Sequence, residues 1–170
     1  DYSVADNLIL GLHGKHPFVK HGLLRDDRAI SENAERVIEE YDIRPPVASQ
    51  PASSLSGGNQ QKIVVGREFT RDPRLLICAQ PTRGVDVGAI EFIHQQVITQ
   101  RDHGAAVLLV SAELDEILSL SDRVAVMYDG HIVSVMAASE VTEHKLGFLM
   151  LGGRLEDYQG GEVTSHAKQD

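Results

Sequence analysis

Leu55-Ser56-Gly57-Gly58-Asn59-Gln60-Gln61-Lys62 is the segment of this chain best suited to chemistry. A serine followed by two glycines at the head of a helix leaves backbone N–H groups facing open space. The helix dipole adds positive potential there, worth roughly 0.3–1 kcal/mol to a nearby anion. Glycine lets a phosphate come close to the backbone, and the Ser56 hydroxyl adds a donor. A second group follows: Ala79-Gln80-Pro81-Thr82-Arg83-Gly84-Val85-Asp86, where an apolar run meets a polar turn. A third is Ser111-Ala112-Glu113, after another apolar run. A simple helix cap with a flexible entry accounts for the two glycines after Ser56 if they are taken alone.

Those segments need elements to hold them. Gly58 to Phe69 is compatible with a helix opening at Ser56. Residues 74–79 and 105–110 are short continuous apolar runs, the pattern of strands buried on both faces. Between them, Asp86 to Arg101 is an amphipathic helix with Ile90, Ile93, Val97 and Ile98 on one face. Asp86 can cap its start, and Gly104 follows its end. Strand, helix and strand make a crossover, which requires a parallel pair.

Around this core lie further elements. Ser3 to Gly11 reads as a short helix capped by Ser3 and closed by Gly11, with Asp6 at the capping-box offset. Residues 13–24 read as loop. Ile30 to Tyr41 is a helix through Ala34, Val37 and Ile38, and the Pro- and Ser-rich stretch 44–54 is a connection. Glu113 to Leu120 is a short helix. Asp129-Gly130 between two apolar runs marks a hairpin of 123–128 with 131–136. Thr142 to Leu151 is a last helix. From Gly152 onward the chain is polar and reads as a loose tail. No internal repeat is visible.

The composition bounds the rest. The 170 residues can enclose one ordinary core. A net charge of −9 without a basic stripe argues against nucleic acid as a partner. The one cysteine, Cys78, sits in an apolar run and reads as a small buried hydrophobe. No apolar stretch is long enough to span a bilayer, and no secretory leader is visible. The histidines show no metal-ligand spacing. Glu113, Asp115 and Glu116 sit at a helix start, where the dipole favours them. The opening Asp1-Tyr2-Ser3-Val4 reads as a start within a longer chain.

The Leu-Ser-Gly-Gly-Asn string resembles the signature motif of ABC ATPases, with Asn59 where many members carry Gln. The Asn-Gln-Gln-Lys extension is similar to ATPase subunits of sugar and nucleoside importers. Four other segments agree in order: 3–8 with the helix after the Q-loop, 75–82 with the Walker B strand, 84–86 with the D-loop, and 110–113 with the switch region. The resemblance covers about residues 1–150. It implies a partial P-loop NTPase fold of the ABC type: α/β in three layers, with a parallel-sheet core and a helical signature subdomain. Residues 1–55 would belong to the helical subdomain, 56–151 to the core, and 152–170 to a flexible tail.

The resemblance also implies roles. Ser56, Gly57, Gly58 and Asn59 would bind ATP held in the partner half's phosphate loop. Gly84, Val85 and Asp86 would form the D-loop at the interface, and Arg83 could touch the partner half or lie solvated. Where the family carries the Walker B Asp, the catalytic Glu and the switch His, this chain has Ala79, Gln80 and Ala112. Alanine cannot help hold Mg²⁺, and Gln can orient a water but not take its proton. No Gly-x-x-x-x-Gly-Lys-[Ser/Thr] loop occurs in the sequence. The expectation is therefore a degenerate half, inactive alone, that serves an importer for sugars or nucleosides. ATP and Mg²⁺ would be its cofactors only in the full assembly. Its partners would be the other nucleotide-binding half, within the same polypeptide, integral membrane permease subunits and, indirectly, a solute-binding protein. It would lie peripherally on the cytoplasmic face of the membrane. A regulatory ABC module of translation or DNA repair, and an inert remnant, are the alternatives.

Overall fold

The computed structural model describes residues 2–158; of the expected tail 152–170, residues 159–170 lie outside the described residues. The chain divides into two compact units, one up to Val110 and one from Ser111.

The first unit opens with helix α1 (Val4–Leu8), capped by Ser3, whose Oγ accepts the Asp6 N–H. This helix ends at Ile9, short of Gly11. Strands β1 (Val19–Lys20) and β2 (Leu24–Arg25) pair antiparallel inside the stretch expected to be loop. Helix α2 (Asp27–Glu40) starts earlier than Ile30, because Asp26 caps it by accepting the Ala29 N–H. Its buried face carries Ile30, Ala34, Val37 and Ile38, as the helical spacing predicts.

Helix α3 (Gly57–Phe69) follows the N-cap Ser56. Strand β3 (Leu75–Ala79) and strand β4 (Ala106–Val110) pair parallel, Leu75 opposite Ala106 and Ala79 opposite Val110. Helix α4 (Val87–Asp102) makes the crossover, with Asp86 accepting the Ala89 N–H at 2.9 Å. Val4, Val37, Tyr41, Ile63, Phe69, Leu76, Cys78 and Ile93 share one core, so Cys78 is indeed a buried hydrophobe.

One expectation fails here. Strands β3 and β4 are not buried on both faces. Leu76 and Cys78 are buried, whereas Leu75 is 59% exposed, Ile77 61%, Leu108 52% and Val110 47%. Alternate side chains point to opposite faces of a strand, and the helices packed in this core take only one of them.

In the second unit, α5 (Leu114–Leu120) precedes strands β5 (Arg123–Tyr128) and β6 (His131–Ala137), which pair antiparallel. Their turn is the expected Asp129-Gly130, with φ of 47° and 75°, the left-handed pair a tight hairpin requires. Helix α6 (Glu143–Met150) packs Leu146 and Leu149 against Val124, Val126 and Met136. Beyond it, Leu155–Asp157 form a short 3-10 turn, and the Tyr158 ring lies 5.7 Å from that of Phe148.

Candidate functional site

The α3 start is held in place by its own cap. Ser56 has extended backbone, and its Oγ accepts the Asn59 N–H at 3.4 Å. The first N–H groups of a helix have no intrahelical acceptor, so those of the Gly57 turn are available to an outside anion. Ser56 and Gly57 are exposed, Asn59 is half-buried and Gly58 is buried. Asn59 Nδ2 donates to Ser56 Oγ at 3.0 Å, and Asn59 Oδ1 accepts the Arg44 N–H at 2.7 Å.

The signature-like turn and the Gly84-Val85-Asp86 segment lie together, which the sequence did not disclose. A Cβ on Gly57 would stand 3.4 Å from the Gly84 carbonyl oxygen. One on Gly58 would stand 2.8 Å from Asp86 Oδ2 and 3.1 Å from Ala89 Cβ. Gln61 Nε2 donates to the Pro81 carbonyl at 2.8 Å, tying α3 to the turn after β3. Gly84 takes φ +74°, the left-handed region open to glycine. The two adjacent small residues, 57 and 58, were the available sign that two backbones meet there.

Lys62 ties α3 to the loop after α2. Lys62 Nζ donates to the Asp42 carbonyl at 3.0 Å and lies 3.4 Å from Asp42 Oδ2. Arg44 Nε donates to Asp42 Oδ1 at 2.7 Å. These two cations hold the Asp42 carboxyl below the usual carboxylate range, Arg44 contributing more. Lys62 also sits 4.8 Å from the centre of the Phe92 ring on α4.

Ala79 ends β3 and is exposed; Gln80 follows, half-buried, with its N–H donating to the Val110 carbonyl at 2.8 Å. Gln80 has φ +52°, a left-handed conformation unusual for a side chain of this type. Ala112, exposed, comes two residues after Val110 at the head of the second unit. No charged oxygen is offered at position 79 or 80, so this strand end does not fit a divalent cation. Among the described residues no cluster of three or more His, Cys, Asp or Glu side chains could hold a metal ion. Among them, too, no helix is long and apolar enough to cross a membrane.

No protein-family model matches the chain. It is 48% identical to the nucleoside import ATP-binding protein NupA of Lactococcus lactis subsp. cremoris, over 92% of this chain and 31% of that protein. It is 49% identical to the guanosine import ATP-binding protein NupO of Bacillus subtilis, over 89% and 30%. The ribose import ATP-binding protein RbsA of Lactococcus lactis subsp. lactis is 36% identical over 91% and 31%. The chain thus spans about a third of the length of these relatives. A nucleotide-free ATP-binding cassette from an ABC transporter superposes with a TM-score of 0.63 at 25% identity, over 79% of this chain and 55% of that one. A dimeric cassette, MJ0796 bound to ADP and Pi, gives a TM-score of 0.67 at 20% identity, over 81% and 57%. The fold is part of an ATP-binding cassette.

Proposed function

We propose, from a chain homologous over about nine-tenths of its length to ATP-binding subunits of nucleoside and sugar importers, that it lends its signature turn to ATP held by a partner half. The observation that carries this reading is the exposed Ser56-Gly57 turn at the head of α3, intact beside a strand end that offers only Ala79 and Gln80. Ser56, Gly57, Gly58 and Asn59 make up the turn that binds the nucleotide, with exposed Ser56 and Gly57 as its phosphate-facing part. Gly84, Val85 and Asp86, packed against that turn, form the surface that meets the other half. Residues 1–55 act as part of the helical subdomain and 56–151 as part of the core.

Ala79, Gln80 and Ala112 are the degenerate positions of this half's own catalytic centre. Mg²⁺ belongs with ATP at the composite site and is held by the other half, since residues 79 and 80 do not fit it. The other half lies in the same polypeptide. Permease subunits recruit the pair to the cytoplasmic face of the membrane, and a solute-binding protein acts with them indirectly. The import names of the relatives favour transport over a role in translation or DNA repair.

Ser56→Arg in the full-length protein tests the reading. A bulky cation in place of the small donor lowers ATP turnover at least tenfold, while thermal melting stays within a few degrees. Unchanged turnover would overturn the assignment.

A further inference from the structure

The Asn59 side chain is held at both ends. A backbone N–H can only donate, so the amide oxygen must face the Arg44 N–H, 2.7 Å away. That choice turns the amide NH₂ toward Ser56 Oγ, 3.0 Å away, and obliges the hydroxyl oxygen to accept. The Asn59 backbone N–H reaches the same oxygen at 3.4 Å. A hydroxyl has two lone pairs and one hydrogen. With both lone pairs engaged by donors, the Ser56 hydrogen is left as its remaining polar function, on an exposed residue.

The anchor on the far side is firm. Arg44 is tied to Asp42, and Asp42 to Lys62. Asn59 and Lys62 are three residues apart on α3 and therefore grip one loop from one helix face. Movement of that loop would release the Asn59 amide and let the Ser56 hydroxyl rotate.

We propose that Asn59 is a positioning residue: it presents Ser56 solely as a hydrogen-bond donor to an oxyanion of the partner-bound nucleotide and does not itself touch that nucleotide. The inference rests on the role given to Ser56 above. It assigns the polarity of the contact and the residue that sets it.

A double-mutant cycle in the full-length ATPase separates the possibilities, with ATP kcat/KM as the readout. Ser56→Ala removes the donor and lowers kcat/KM by about tenfold or more, the usual cost of a hydrogen bond to a charged group. Asn59→Ala lowers it severalfold in the wild-type background and less than about twofold in the Ser56→Ala background. An equal loss in both backgrounds would mean direct contact or general loosening, and would overturn the proposal. No loss from Ser56→Ala would instead overturn the role of Ser56 itself. Should Asn59→Ala melt below the assay temperature, the isosteric Asn59→Asp takes its place. It keeps the acceptor for Arg44 but offers Ser56 a second acceptor, turning the hydroxyl hydrogen inward, and its effect must likewise vanish without the Ser56 hydroxyl.

Discussion

Gly58 and Asp86 meet so closely that a Cβ on the glycine would lie 2.8 Å from the Asp86 carboxylate. The same carboxylate caps α4 through the Ala89 N–H. Gly58 therefore serves the packing of two helix starts. Exposed Gly57 faces outward, and a methyl carbon added there would have only the Gly84 carbonyl nearby, at 3.4 Å. The neighbouring glycines should respond differently to alanine. Gly58→Ala overpacks the contact and displaces a cap, costing about 1–3 kcal/mol by urea unfolding. Gly57→Ala leaves stability within about 0.5 kcal/mol, yet lowers ATP turnover in the full-length protein, because the added methyl group would obstruct the proposed phosphate approach. Equal stability losses at the two positions would contradict this division.

Local chemistry makes much of this fold readable. Ser56 and Asp86 cap the helices they precede in sequence, and Asp129-Gly130 makes the hairpin turn. The two apolar runs flanking α4 do pair in parallel. The start of α2 is hidden because Asp26 precedes a charged first turn, Asp27-Arg28, while the apolar spacing begins only at Ile30. Strands β1 and β2 have two residues each, too few for any periodicity. An unbroken apolar run also cannot tell how many of its faces are covered, which is why the exposure of Leu75 and Ile77 is not legible in it. At the candidate site, residue types are legible but proximity is not. The Gln61–Pro81 bond and the clamp from Asn59 to Arg44 join segments far apart in sequence.

Tyr41 gives the fold a limit at alkaline pH. It is 1% exposed in the core against Val37 and Gly66, and burial pushes its phenol up to about 12. The folded state thus favours the neutral phenol. This stabilisation is complete below the unfolded value of about 10 and is lost as pH rises from there toward about 12, a difference of about 2–3 kcal/mol. An absorbance titration should show a late phenolate step coinciding with unfolding. Tyr41→Phe should remove that step and move the alkaline unfolding midpoint upward. A wild-type chain that unfolds in alkali before any late phenolate forms would place the weakness elsewhere.

Placing Asp, Glu and His at the proposed catalytic positions 79, 80 and 112 should disturb the fold little. Ala79 and Ala112 are exposed, so Asp and His there need not enter the core. Gln80→Glu keeps the side-chain shape at the same left-handed backbone. Together the three substitutions should change stability by no more than about 1 kcal/mol. A carboxylate in place of the Gln80 amide can accept a proton, a capacity typically worth about 10²–10⁴ in rate. In the full-length protein the triple variant should raise ATP turnover and increase the nucleotide trapped per polypeptide from about one to about two. If the folded triple variant still traps about one, the proposed degeneracy of residues 79, 80 and 112 is overturned as the cause.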